Sequence, residues 1–160
     1  MDQLSGRSCY NSRMKIVNKK ASFNYEILES LEAGVILTGA EVKAIKSGRA
    51  NIGDAYVKVL NNELWLINAD IPKYEFATDK NYDPARSKKL LINRDQLNKL
   101  ESKIKQGNLT LIPVSLYTVR GMIKVEVGLA KGRKYHEKRD RDKERDLDRE
   151  LHIENRRYVV

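Results

Sequence analysis

Residues 131–160 carry cations at the spacing of a helix. On a helix of 3.6 residues per turn, seven basic side chains recur at steps of three or four and fall on one narrow stripe: Lys134, Lys138, Arg141, Arg145, Arg149, His152 and Arg156. Such a stripe suits a polyanion, because each cation can neutralise a phosphate. Alone, cations four residues apart repel by about 0.2–0.5 kcal/mol per pair, and few apolar residues offset the ordering entropy. The pattern predicts a tail that frays by itself and becomes helical on a phosphate backbone. A solvated charged tail is the alternative interpretation.

Cations outside the tail gather in three places, and each group offers charge to phosphate. They are Lys19 and Lys20, which follow Asn18 before the first predicted strand, Lys43, Lys46 and Arg49 on or just after a short helix, and Arg86, Lys88 and Lys89 in a long loop. The rings of Tyr74, Phe76 and Tyr82 alternate with these charges. An exposed ring can stack on an unpaired base, although packing within the loop is the alternative for each of them.

Catalytic chemistry has no plausible set of residues in this chain. The two histidines, His136 and His152, both fall in the tail, away from a core that would hold a base beside a nucleophile. The glycines do not form a phosphate-binding loop. Glu41 and Asp54 are interpreted as cap and turn partners. We therefore expect a protein that is not an enzyme and that has neither a metal nor a cofactor.

The net charge of +9 is concentrated at the two ends. Residues 1–20 have five basic and one acidic residue, residues 131–160 have eleven and eight, and the middle has fifteen and thirteen. A nearly balanced globule with basic arms is typical of a protein that docks on RNA or DNA. The chain has no apolar run of the length that spans a bilayer, and the tail stripe has no opposing apolar face for a membrane surface.

The N-terminal residues predict a cytoplasmic protein with a flexible leader. Residues 1–14 lack the apolar stretch of a secretion signal. Met14 stands just before the first patterned segment and is a candidate for the true start. Cys9 is the single cysteine, so an internal disulfide is excluded and no disulfide partner is expected.

The middle of the chain predicts short strands punctuated by turn residues. Residues 23–37 favour a strand with a bend at residues 32–34. A short helix follows, with Thr38 and Glu41 at capping-box spacing and Gly48 placed to close it. Residues 55–60 and 63–69 predict a hairpin that turns at Asn61 and Asn62.

The second half adds an exposed loop, a helix and a final hairpin. Residues 72–89 show no period and predict the loop. A helix is predicted from Asn93 to Gly107, and two strands follow around a turn at Arg120 and Gly121. About six short strands with few helices favour an OB-type antiparallel β-barrel over a parallel α/β sheet. We assign the barrel to residues 15–130 and the tail to residues 131–160.

Several ordered sequence blocks resemble one known family. They are NKKA at 18–21, EAGVILTGAEVKAIKSGRANIGDAYV at 32–57, DPARSKKLLI at 83–92, LTLIPVSLY at 109–117, KVEVGLAKGRK at 124–134 and EKR at 137–139. Together they resemble the small protein B family, which binds transfer-messenger RNA (tmRNA, or SsrA RNA) in bacteria. The resemblance implies an adaptor of trans-translation that binds the tRNA-like domain of tmRNA. It also implies delivery of that RNA, with the elongation factor Tu complex, to stalled ribosomes, whose mRNA channel the helical tail enters.

The same resemblance implies roles for individual residues. Those that engage or shape the RNA face of the barrel are Asn18, Lys19, Glu32, Leu91 and Lys124, to which the cation clusters add Lys20, Lys43, Arg49, Arg86 and Lys88. Those at the decoding centre or in the tail are Gly132, His136, Glu137, Lys138 and Arg139, with Arg141, Arg145 and Arg149 from the stripe. Two residues depart from the family pattern: Tyr82 stands before Asp83 where the family has His, and Glu137 stands where it has Asp.

Two other functions remain open on the sequence. The first is a different OB-fold RNA-binding protein of the translation apparatus, of ribosomal or initiation type, which would keep the barrel and prefer other RNA. The second is an RNA-processing enzyme, which turnover of labelled RNA would reveal.

Overall fold

The computed structural model describes residues 14–78 and 80–158, without the side chains of residues 135, 136 and 154–158. Within these ranges the chain forms seven strands and four helices. In chain order they are β1 (Lys15–Val17), α1 (Lys19–Asn24), β2 (Tyr25–Val35), α2 (Gly39–Lys46), β3 (Tyr56–Leu60), β4 (Glu63–Ile67), β5 (Lys88–Leu91), α3 (Arg94–Gly107), β6 (Thr110–Val119), β7 (Met122–Gly132) and α4 (Tyr135–Tyr158).

Six strands close into a ring. Going round it, β2 pairs with β5, then β4, β3, β6 and β7, and β7 returns to β2. All of these pairs are antiparallel. The short strand β1 pairs with β6 outside the ring. The prediction of a small antiparallel β-barrel of OB type with short helices is therefore confirmed.

Alternating side chains of the strands fill the inside of the barrel. On β7, Val125 and Val127 are fully buried, while Lys124 and Glu126, which alternate with them, are partly exposed. Leu97 and Leu100 of α3 join the same apolar cluster. Because burying one such side chain contributes about 1.5–3 kcal/mol, this two-residue period specifies which face of each strand is left outside.

The predicted turns form where the sequence places them. Thr38 and Glu41 make the full capping box at the start of α2, and Gly48 has a φ of 81° after its end. Asn61 and Asn62 have φ values of 52° and 59° in the hairpin between β3 and β4. The turn between β6 and β7 has positive φ at residues 120 and 121. These predictions are confirmed.

The first predicted strand begins too early. Residues 19–24 form α1, and β2 starts only at Tyr25. The irregularity in β2 lies between Ile27 and Glu29 and not at residues 32–34. A six-residue helix has little stability of its own, and α1 is held by tertiary contacts: its Ala21 packs on Ile112 of β6 and Ala130 of β7.

Smaller corrections concern element ends. Asn93 stands at the N-cap of α3 but its side chain makes no capping hydrogen bond, and the left-handed residue after the helix is Asn108, with a φ of 50°. The predicted loop of residues 72–89 ends two residues early, because β5 begins at Lys88. Strand β7 runs to Gly132, so the predicted barrel boundary at residue 130 cuts it short.

No helix in the described ranges is long and apolar enough to cross a membrane.

Candidate RNA-binding surface

One row of residues crosses four strands on the outside of the barrel. The strand register pairs Tyr117 of β6 with Lys124 of β7, Lys124 with Gly34 of β2, and Gly34 with Leu91 of β5. Gly34 has no side chain, so the row has a gap between Lys124 and Leu91. Leu91 is 52% exposed there. Three strands thus bring together Glu32, Leu91 and Lys124, which lie far apart in sequence; we call the row and Glu32 the outer barrel face.

A carboxylate fixes the cation of this face. The Lys124 ammonium donates a hydrogen bond to Glu32 Oε1, and the Tyr117 hydroxyl donates one to Glu32 Oε2. Lys124, followed by Tyr117, holds the pKa of Glu32 below its ordinary value. Partial burial, together with Glu32, raises the pKa of Tyr117. Glu32 therefore stays ionised and acts by positioning its two neighbours.

Asn18 is buried and serves as a connector. Its amide nitrogen donates to the carbonyls of Ile52, at 2.8 Å, and Pro113, at 2.9 Å, and its Oδ1 accepts from the Ala21 amide at the start of α1. All the hydrogen-bonding atoms of its amide group thus face the protein. Asn18 shapes the surface by fixing α1 and does not offer itself to phosphate.

The lysines that α1 presents differ in their partners. Lys19 is exposed, and its side chain makes no hydrogen bond or ion pair within residues 14–78 and 80–158, although its carbonyl accepts from the Ser22 hydroxyl at 3.1 Å. Lys20 is paired with Asp54 at 2.7 Å, and both side chains are largely exposed. An exposed pair of this kind is worth at most about 1 kcal/mol, so a phosphate can compete for Lys20.

The cations of α2 lie beside the turn at residues 74–77. The Lys43 ammonium is 5.4 Å from the centre of the Tyr74 ring. Arg49, just after α2, pairs with Glu75 at 2.6 Å. Both predicted cations are therefore exposed and tied to the same loop.

The third cation cluster is largely internal. Glu41 is buried and accepts two hydrogen bonds from Arg86, at 2.8 and 3.3 Å. Lys88 is fully buried: its ammonium donates to the carbonyls of Ala69 and Pro84 and lies 3.9 Å from Glu41. The prediction that Lys88 offers charge to phosphate is wrong, because β5 turns its side chain inwards. Arg86 remains partly exposed but is committed to Glu41.

The charges in this cluster depend on one another. Burial alone pushes the pKa of Glu41 up, but hydrogen bonds from Arg86 and the Thr38 amide outweigh it and hold the pKa below its ordinary value of 4.5. Burial lowers the pKa of Lys88, and the nearby Glu41 partly offsets this. Tyr82 donates to the carbonyl of Ile71 at 2.7 Å, and burial raises the pKa of its hydroxyl. The cluster anchors the long loop on α2.

The tail begins at the end of β7. Gly132 is exposed as the last residue of that strand, opposite Tyr25. Glu137 accepts a hydrogen bond from the Lys134 amide, which supports the first turn of α4. Lys138 is half-buried and Arg139 is exposed. The side chain of His136, which carried a predicted role, lies outside the described part.

The helix α4 is continuous from residue 135 to 158, where the sequence predicted a frayed segment. Two residues of the cationic stripe contact α1, and these contacts explain why the segment is helical without RNA. Arg141 donates to the carbonyl of Ser22 at 3.0 Å, and the Arg145 guanidinium lies 5.3 Å from the centre of the Phe23 ring. Arg149 is exposed and lies 3.7 Å from Asp146.

The sequence predictions missed three parts of this surface: Tyr117, the helical state of residues 19–24, and the contact of α1 with α4. The alternation of side chains along β6 could have indicated that Tyr117 lies on the outside of the barrel. Nothing local marks Ser22 or Phe23 as partners of the tail. Among the described residues, no group of His, Cys, Asp or Glu is arranged to hold a metal ion.

A closed antiparallel barrel with a partly exposed lysine and an exposed leucine on its outer face, basic helices and a cationic terminal helix defines a nucleic-acid-binding barrel protein. A family model described as SmpB protein matches residues 15–157. The chain belongs to the SmpB protein family, so the family identified from the sequence blocks is confirmed.

Relatives and a solved structure agree with this assignment. An SsrA-binding protein of Agrobacterium fabrum is 45% identical over 134 residues, which are 83% of this chain and 84% of that protein. One of Mycolicibacterium vanbaalenii is 44% identical over 145 residues, 88% of each chain. A solved structure from work described as "tmRNA-SmpB: a journey to the center of the bacterial ribosome" has a TM-score of 0.64 and 39% identity, covering 76% of this chain and 86% of that one.

Proposed function

We propose that this protein is a cytoplasmic, non-enzymatic adaptor that binds the tRNA-like domain of SsrA RNA and takes part in ribosome rescue by trans-translation. The observation that carries the proposal is the family match over residues 15–157. Relatives that are 45% identical over 134 residues and 44% identical over 145 residues are named SsrA-binding proteins.

The outer barrel face supports a backbone-binding mode. Lys124 supplies a charge whose direction is fixed by Glu32, and Leu91 supplies an exposed apolar surface beside it. Lys19 and Lys20 add charge from α1. Contacts of this kind recognise the shape of a folded RNA through its phosphates and sugars.

The tail has a second role in this proposal. As a helix of 24 residues, α4 is about 36 Å long at 1.5 Å per residue. Its cations suit a channel lined by ribosomal RNA, such as the mRNA channel of a ribosome that holds a broken message. We assign decoding-centre contact to the start of α4 and phosphate contact along the stripe.

Competition binding tests the RNA specificity. The purified chain is bound to a labelled tRNA-like domain of SsrA RNA at about 0.15 M salt, and an unrelated structured RNA of equal length is added in excess. We expect the labelled RNA to stay bound when the unrelated RNA is added. The unlabelled tRNA-like domain, added in the same excess, should displace it. Equal displacement by both competitors would favour the more general OB-fold RNA binder.

A charge-matched pair of variants tests the site. Lys124→Ala should weaken binding and reduce the slope of log K against log salt by about 0.7–0.9, because one phosphate contact is lost. Lys105→Ala removes the same charge from an exposed position on α3, outside the outer barrel face, and should leave the slope unchanged. Equal slopes in both variants would remove Lys124 from the interface.

A further inference from the structure

The ring of Phe76 stands out at the apex of the long loop. It is 79% exposed, more than any other large apolar side chain in the described ranges. The Ala77 amide donates to the Tyr74 carbonyl at 2.9 Å, and this tight turn places Phe76 at the tip. A phenylalanine side chain stabilises a fold when it is buried away from water, and Phe76 contributes almost nothing in this way.

The turn that carries this ring is held in place from two sides. Tyr74 lies 5.5 Å from Phe76, measured between ring centres, with the planes tilted by 60°. Lys43 approaches the Tyr74 ring, and Arg49 pairs with Glu75 between the two rings. Each of these contacts is weak on its own, but together they tie the loop tip to α2 and restrain the ring before any partner arrives.

The charges around the ring indicate what it meets. Lys43 and Lys46 lie on the same side of α2, because residues three apart are neighbours on a helix. Arg49 and Lys73 add two further cations, and Glu75 is the acidic residue within the turn. Exposed aromatic rings among cations are the pattern that holds unpaired bases, with the base on the ring and its flanking phosphates on the cations.

We propose that Phe76 is a stacking site for an unpaired base of RNA, with Lys43 and Lys46 as contacts for the flanking phosphates. This site is additional to the outer barrel face and rests on the proposed RNA-binding function. The base belongs either to SsrA RNA or to ribosomal RNA, and the chemistry of recognition is the same for both. A protein partner is disfavoured, because it would have to bury several lysines beside the ring.

Three substitutions at this position separate stacking from simple apolar contact. Phe76→Ala and Phe76→Leu remove the aromatic face, and the second keeps the apolar bulk. Both should weaken binding to the RNA that holds the base by about 5- to 100-fold, the range found when a stacking ring is replaced. Phe76→Trp should keep the affinity, and its emission should be quenched by that RNA beyond the change seen in the parent chain, which contains Trp65.

Two controls complete the set. Leu60→Ala removes another exposed apolar side chain, at the end of β3, and should leave binding unchanged. Lys46→Ala should reduce the slope of log K against log salt by about 0.7–0.9, whereas Phe76→Ala should leave that slope unchanged because no charge is lost. Circular dichroism of every full-length variant verifies that the barrel is folded.

The measurements use the tRNA-like domain of SsrA RNA, purified ribosomal RNA and whole ribosomes as separate probes. Loss with either RNA in both Phe76→Ala and Phe76→Leu supports the site and identifies the source of the base. Unchanged affinity of the variants for both RNAs overturns it. Phe76→Leu that binds RNA as tightly as the parent chain also overturns it. Loss with ribosomes alone, and not with their RNA, would point to a ribosomal protein and also overturn it. If the parent chain bound neither RNA, the proposed function itself would fail.

Discussion

At the scale of single residues, Asn18 connects three segments that are distant in sequence. One amide group bonds to the start of α1, to the Ile52 carbonyl and to the Pro113 carbonyl. Such a set needs a donor and an acceptor at one site, and asparagine supplies both. The residue fixes the start of the helix that carries Lys19 and Lys20.

Replacing Asn18 by Ala should lower the free energy of unfolding by about 2–4 kcal/mol, since two buried carbonyls and one capped amide lose their partner. Asn18→Asp is the matched variant: it keeps the acceptor for Ala21 and loses both donors. Urea unfolding should find it destabilised as well. Stability equal to that of the parent chain would show that the carbonyls find other donors.

Glu41 makes the anchoring of the long loop sensitive to acid. Its folded pKa lies below the ordinary value of 4.5, so its contribution is fully present above about pH 4.5 and is lost as the pH falls through the lowered pKa. Glu41→Gln should cost about 3 kcal/mol at pH 7, because Arg86 and Lys88 lose their counter-charge.

The dependence of the unfolding free energy on pH measures the contribution of the Glu41 charge. Below about pH 4.5, the difference in stability between the parent chain and Glu41→Gln should shrink, because the unfolded chain takes up a proton at Glu41 before the folded chain does. Chemical denaturation at a series of pH values measures it. A difference that stayed constant over this range would mean that the Glu41 charge does not contribute.

At the scale of elements, α1 has two faces with different tasks. One side packs Ala21 on the outside of the barrel, and its last turn receives the tail through Ser22 and Phe23. The helix therefore links the barrel to α4. This contact uses Arg141 and Arg145, two of the cations that the sequence analysis predicted to bind phosphate.

Removing both contacts should loosen the first turns of α4. A hydrogen bond and an exposed cation–π contact together contribute about 1–2 kcal/mol, so Arg141→Ala with Arg145→Ala should speed amide exchange in residues 138–145 by about 5- to 30-fold. Arg149→Ala is the control, because it leaves both α1 contacts in place. Equal exchange in the two variants would show that α4 needs no docking.

At the scale of the whole molecule, the barrel and the tail divide at the end of β7. The last barrel contacts are the pairing of Gly132 with Tyr25 and the hydrogen bond from the Arg133 amide to the Asn24 carbonyl. A chain that ends at Arg133 keeps both of these and loses α4.

This truncation should separate the two activities in the proposed function. We expect unchanged affinity for the tRNA-like domain and complete loss of peptide tagging on stalled ribosomes, measured in a reconstituted translation assay. Arg149→Glu in the full chain should lower tagging in the same direction while leaving the α1 contacts intact. Equal loss of RNA binding and tagging in the truncated chain would contradict the division.

The sequence by itself determined the hairpin turns, the caps of α2 and the barrel class. The capping box at Thr38, the paired asparagines at residues 61 and 62 and the turn at residues 120 and 121 were predicted correctly. Local chemistry decides such features, because a side chain fixes the φ angle or the hydrogen bond of its own segment. The two-residue period of β7 likewise specified its inner face.

Tertiary structure alone decided how the charges are used. Lys88 and Lys89 look equivalent in the sequence, yet the alternation of β5 buries the first beside Glu41 and leaves the second partly exposed. The Glu32 and Lys124 pair and the Arg141 contact with Ser22 join residues 92 and 119 positions apart. A cation's value to a nucleic acid depends on the carboxylates and carbonyls that folding brings to it, and no local pattern encodes those neighbours.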